Sequence, residues 1–238
     1  MSKTFKALSA LLCYPSDDLK EASDEIGAVL TTEAILSPAS ITALQPLLLD
    51  LKVMDLYDLQ ERYVLLFDRS RTLSLNLFEH IHGEGRDRGG AMVDLLETYR
   101  AGGFDLVSTE LPDHLPILLE YLSNRSVADA KEMLQDAGHI LAALATRLMR
   151  RESTYAAVFT ALTEFAAIET DSTDVTELLK VADDDPEDLE ALDSVWEEAE
   201  VTFGPSADAG CPVSRDLLAK MDPTPPKLHP ARPAALQN

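Results

Sequence analysis

Apolar positions along the chain recur mostly every three or four residues, the spacing that lines one face of an α-helix. Phe5, Leu8 and Leu12 mark a first helix over 4–13, stopped by Pro15. Ser16 caps a second that runs to about Leu30, and Ser37-Pro38 opens a third, which Pro46 is expected to interrupt. Leu56, Leu59, Tyr63, Leu66 and Phe67 define a fourth over 55–68, with Asp55 as its cap. A fifth covers 86–100, closed by Gly102-Gly103, and Pro112 opens a sixth with Leu115, Leu118, Leu119 and Leu122 inward. A seventh, capped by Ser126, carries an unbroken seam from Val127 through Leu134, Leu141 and Leu144 to Leu148. Ser153 starts an eighth with Tyr155, Val158, Phe159, Leu162 and Phe165 inward, and Leu189, Leu192, Trp196 and Ala199 place a ninth after Pro186. Strand-like alternation forms no series, so the expected fold is all-α, a bundle of about eight to ten helices.

The texture changes near residue 204. Seven of the thirteen prolines follow Gly204, and little there can be buried. Residues 1–203 are therefore expected to form the helical domain and 204–238 a flexible Pro-rich tail. At 238 residues with 46% hydrophobic content, the chain can build one substantial core. No apolar run approaches the roughly 18 residues of a membrane span. The N-terminal apolar stretch reads as a helix face and not a signal peptide, since acids and no small-residue cleavage site follow it. Cys13 and Cys211 lie far apart, too few for a zinc cage or a disulfide framework, which suits a reduced, cytoplasmic protein.

Charge narrows the function classes. The net charge is −22, opposed to nucleic-acid or anionic-lipid binding and suited to capture of a basic partner. It is uneven: Glu164 to Glu200 holds fifteen acids against the single base Lys180.

One stretch departs from helical periodicity. After Arg71, Leu73, Leu75 and Leu77 alternate, then Gly83, Gly85 and Gly89 fall within seven residues, interleaved with His80, His82 and several charges. A polar, glycine-punctuated linker between helices is a place for function. Glu79-His80-x-His82-x-Glu84, with His114 downstream, offers metal ligands, but on a helix residues two apart diverge by about 200°. Nucleophile-elbow and nucleotide-binding signatures do not occur. No catalytic residue or metal site is assigned. A groove for an amphipathic helix fits better: Leu77, Phe78, Ile81 and Tyr99 supply apolar anchors, while Glu79, Glu84 and Asp87 read Lys or Arg on the guest. Arg86 and Arg88 pair with neighbouring acids and, with Gly83 and Gly89, shape the loop.

Longer motifs carry a family resemblance. Leu66-Phe67-Asp68-Arg69, Leu77-Phe78-Glu79-His80-Ile81-His82-Gly83-Glu84, Arg86-Asp87-Arg88-Gly89, Glu110-Leu111-Pro112-Asp113-His114-Leu115-Pro116 and Asp193-Ser194-Val195-Trp196-Glu197-Glu198 closely resemble the NarJ-type nitrate reductase maturation chaperones. The Pro-Asp-His segment also resembles the wider redox-enzyme maturation group of the TorD and DmsD types. Gly85 and Gly90 depart from the familiar pattern, leaving the loop without a hydroxyl at 85.

The resemblance implies a cytoplasmic, all-helical, non-enzymatic chaperone. Its partner would be the apo catalytic α subunit of respiratory nitrate reductase, including its N-terminal segment. It would keep that subunit competent for insertion of bis-molybdopterin guanine dinucleotide, hold no cofactor stably itself, and be absent from the mature enzyme. The client groove is then expected within residues 57–120, with Tyr63, His80, His82, Asp113, His114 and Glu120 joining the anchors and acids already named. A molybdopterin carrier, with Arg86 and Arg88 as its anion site, is the alternative from another class, followed by a metal-dependent hydrolase.

Overall fold

The computed structural model describes residues 2–82, 86–107 and 109–183, with the backbone but not the side chain of Arg86. These belong to one compact unit, Met1–Leu192; the second unit, Asp193–Asn238, lies outside the described residues, as do the ninth helix and the tail expected from the sequence. Among the described residues there are twelve α-helices: α1 (Lys3–Leu11), α2 (Asp17–Glu21), α3 (Ser23–Glu33), α4 (Pro38–Val53), α5 (Leu56–Tyr63), α6 (Glu79–His82), α7 (Arg86–Ala101), α8 (Leu115–Ser123), α9 (Val127–Asp136), α10 (Gly138–Arg150), α11 (Ala156–Ala166) and α12 (Thr173–Lys180). No strand occurs among them, and no helix is long and apolar enough to cross a membrane.

The helix starts follow local chemistry. The side-chain oxygens of Ser16, Ser37, Asp55 and Ser126 each accept from a backbone N–H in the first turn, satisfying a donor the helix cannot. At α1 the cap arrives from elsewhere. Glu33, at the end of α3, accepts from Lys3 N and Thr4 N, both at 2.8 Å. The interior is built on α1 against α8 and α10 against α11, with α3 and α4 laid alongside.

Three expectations are corrected. Pro46 does not interrupt α4, because it and Thr42, whose carbonyl loses its donor, both face solvent while Leu44, Leu47, Leu48 and Leu51 keep the buried stripe. The second helix is two, α2 and α3, broken at Ala22. The seventh is also two, α9 and α10. The chain turns at Ala137 while Leu134 and Leu141 stay buried on either side, and Ile168 packs so close to Gly138 that a side chain there would come within 3.0 Å of it. Val127, placed in the seam, is 50% exposed.

A further departure shapes the site. Beyond Tyr63 the fourth helix widens into a π turn over Val64–Asp68, closed by Arg69 N donating to Val64 O at 3.0 Å. The extra residue in the turn lets the neighbours Leu66 and Phe67 both face the core.

Candidate functional site

The segment after the π turn opens with a 3-10 turn over Arg71–Leu73 and runs on irregularly to a single bridge at Asn76. Leu73, Leu75 and Leu77 all reach the core, 0%, 3% and 4% exposed, and Ser74 between them is buried too, so the alternation in the sequence marks an irregular buried connection and not a strand. Its backbone pairs with the residues ahead of α8: Leu115 N donates to Leu75 O at 2.9 Å and Leu77 N to Asp113 O at 3.1 Å. The Asp113 side chain, fully buried, accepts from Phe78 N at 2.9 Å. Burial pushes its carboxyl above the usual range, opposed by the Phe78 N–H and by the positive charge of Arg88. Tyr99 Oη donates to Pro112 O at 2.8 Å, tying α7 to the same turn.

This clasp positions His114 at the start of α8, on the wall of an open groove of about 760 Å³. Ser9, Cys13 and Tyr14 form one side; Tyr63 and the π-turn residue Asp68 form the next. The loop after α7 contributes Phe104, Asp105, Leu106, Val107 and Glu110, and α8 contributes Pro116, Ile117 and Glu120. Beneath it, Ser9 Oγ donates to Pro116 O at 2.7 Å and pins α1 to α8. Tyr63 Oη donates to Leu12 O at 2.9 Å, and burial, with the nearby Cys13 and Asp68, keeps that phenol neutral. Cys13 is exposed as a residue, yet desolvation of its thiol first, then Glu120 and Glu110, push the thiol pKa up, which disfavours the thiolate. Burial also lowers the pKa of His114, against the pull of Glu110, Asp113 and Asp68. The lining thus holds four carboxylates, one histidine and apolar surface, with no lysine or arginine among its described residues. Such a groove attracts cations and accepts an apolar side chain.

The residues expected at the site are not all brought together. Tyr63, His114 and Glu120 line the groove. Glu79 and His80 line a separate cavity of about 210 Å³ with Arg71 and Arg147, where His80 Nε2 lies 2.8 Å from Ser74 O and burial lowers its pKa. Leu77 and Tyr99 are corrected: at 4% and 0% exposure they are core, consumed by the clasp, and offer a guest no surface. Asp113 is likewise buried and acts on the backbone. Phe78 and His82 are half-buried and meet edge to face at 6.0 Å; Asp87 and Gly89 are exposed. Arg88, half-buried, places its charge by Asp113. Gly83, Glu84 and the Arg86 side chain lie outside the described residues. Sequence reasoning missed Cys13, Tyr14, Asp68, Asp105 and Glu110. The Glu110 and Asp68 motifs were visible, but nothing local shows that a π turn and a loop 40 residues on share a wall.

The helical fold has a counterpart of known structure: a crystal structure of a candidate redox enzyme maturation protein from Archaeoglobus fulgidus superposes with a TM-score of 0.52 at 23% identity, covering 70% of this chain and 94% of that one. The nitrate reductase delta subunit family matches residues 33–161, and the chain belongs to that family. The nitrate reductase molybdenum cofactor assembly chaperones NarJ of Escherichia coli K12 and O157:H7 are each 47% identical to it over 205 residues, 86% of this chain and 85% of theirs.

Proposed function

We propose that the protein is an assembly chaperone for a respiratory nitrate reductase. It holds the catalytic subunit, before the molybdenum cofactor is inserted, by a basic amphipathic segment at that subunit's N-terminus. It acts in the cytoplasm, performs no chemistry, and leaves before the enzyme is complete. The observation that carries this reading is the groove of Asp68, Asp105, Glu110 and Glu120 over apolar surface, in a chain whose relatives are named for this assembly step. Carboxylates supply steering and orientation, and apolar contacts supply affinity. His114 and Glu120 are the contact residues retained from the sequence reading, with Tyr63, 5% exposed, backing the groove from the core.

A cofactor-carrying role has weaker support, because the charge of Arg88, one half of its anion site, faces the Asp113 carboxylate. The cofactor is the client's cargo.

Titration calorimetry with a synthetic peptide of the client's N-terminal segment tests the proposal. Binding that weakens at least about tenfold on Asp105→Lys, with the fold intact, is expected. No heat at high micromolar concentration rejects it.

A further inference from the structure

The acidic groove has a neighbour at Tyr14. A second hollow, of about 510 Å³, lies between α1 and α3 and shares Cys13 and Tyr14 with the first. Its floor is Ala7, Ala10, Leu19, Ala22, Ile26 and Val29, almost wholly apolar. Its charges stand on opposite rims, Lys3 and Lys6 from α1, Asp18 and Glu25 from α2 and α3. At the boundary, Lys6 Nζ lies 3.8 Å from Glu120 Oε1. Both side chains are exposed, so this pair is weakly held and a guest can displace it.

Tyr14 stands where the hollows meet. It is 51% exposed, yet its ring rests edge-on to Tyr63 at 5.6 Å, and Tyr63 is itself tied to Leu12 O. An aromatic ring held in place but left uncovered loses little freedom on binding, the property of an interface anchor. The charges of the first groove orient a guest without holding it tightly, so most of the affinity must come from an apolar stripe. The adjoining hollow is apolar, and Cys13 and Tyr14 line both.

We propose that the two hollows form one trough, and that a single amphipathic client helix lies along it across Tyr14. The basic turn of the helix sits among Asp68, Asp105 and Glu110, and its apolar stripe fills the hollow between α1 and α3. This rests on the client-binding reading of the acidic groove and adds where the apolar part of the client goes. Rims of opposite sign make the trough directional: the guest turns a base towards Asp18 and Glu25 and an acid towards Lys3 and Lys6.

Fluorescence anisotropy on the full chain tests this with two synthetic peptides. One spans the amphipathic N-terminal segment of the nitrate reductase α subunit, and the other keeps only its basic turn. Tyr14→Ala and Val29→Asp should each raise the Kd of the long peptide about tenfold or more, and Val29→Asp should leave the short one unchanged. Circular dichroism and melting temperature establish that the variants fold; if Val29→Asp does not, Val29→Ala should show the same selectivity, about threefold in size. A long peptide that binds every variant as it binds the wild type overturns the trough and leaves the acidic groove standing. If neither peptide binds the wild type, the acidic groove falls as a client site and the trough falls with it.

Discussion

Tyr121 shows how closely single residues are fitted around the site. Its ring lies 4.7 Å from that of Tyr99 and 5.8 Å from that of Phe104, and a side chain at Gly102 would come within 2.6 Å of its hydroxyl. With Tyr121 only 3% exposed and gripped by both rings, it has no room to swing away. Gly102→Ala should therefore cost about 1–3 kcal/mol, read as a lower urea midpoint at unchanged slope. At the neighbouring Gly103 the reason differs, since a φ of +76° disfavours any side chain. Asp113 makes a prediction of opposite sign. Burial raises its folded-state pKa, outweighing Phe78 N–H and Arg88, so the fold prefers the protonated carboxyl. The stability this confers is complete below the unfolded pKa and is lost as pH rises through the folded one. Asp113→Asn, always neutral and still an acceptor for Phe78 N–H, should gain on the wild type as pH rises from about 3 to about 7, measured by paired urea melts. A constant difference across that range would refute this account. Sequence alone marked both positions as notable, the glycines as a helix end and Asp113 within a motif, but could not tell a buried clasp from a surface contact.

Among the elements, α12 is one that the apolar pattern did not announce. It is eight residues long with a single buried side chain, Val175, too little to hold a helix by its own face. What holds it is Arg147, 3% exposed, on α10. Its Nη2 donates to Leu178 O at 2.7 Å and Val181 O at 3.0 Å, and its Nη1 to Thr72 O at 2.9 Å. Its Nε lies 3.2 Å from Asp183 Oδ1, within ion-pair distance though not aligned for a hydrogen bond. One guanidinium thus ties the end of α12 and the turn before Leu73 to the core. Arg147→Ala should destabilise the protein by about 3 kcal/mol and speed amide exchange through Thr173–Lys180 far more than in α1 or α8. Uniform exchange would contradict the anchoring role. The helices of the core were legible because caps and apolar spacing are local signals. The breaks at Ala22 and Ala137 were not, because the apolar stripe continues through each, with Leu134 and Leu141 buried on either side of the second.

For the whole molecule, charge has two consequences of opposite direction. Acids outnumber bases 42 to 20, so self-repulsion opposes folding and added salt screens it. The melting temperature should rise between low and moderate ionic strength while affinity for the basic client peptide falls. Parallel movement of the two would show that the carboxylates do not attract the guest. The amino-acid order by itself determined the helical class, most helix starts and the protein's own net negative charge, since each depends on neighbours within a few residues or on a sum over the chain. It did not determine which residues face a client. Leu77 and Tyr99, which read as anchors, went into the core, and Tyr14, Asp68 and Asp105 came out along one groove. That choice belongs to the tertiary structure, because a groove is made where distant elements meet, and no short stretch of sequence carries their distance from one another.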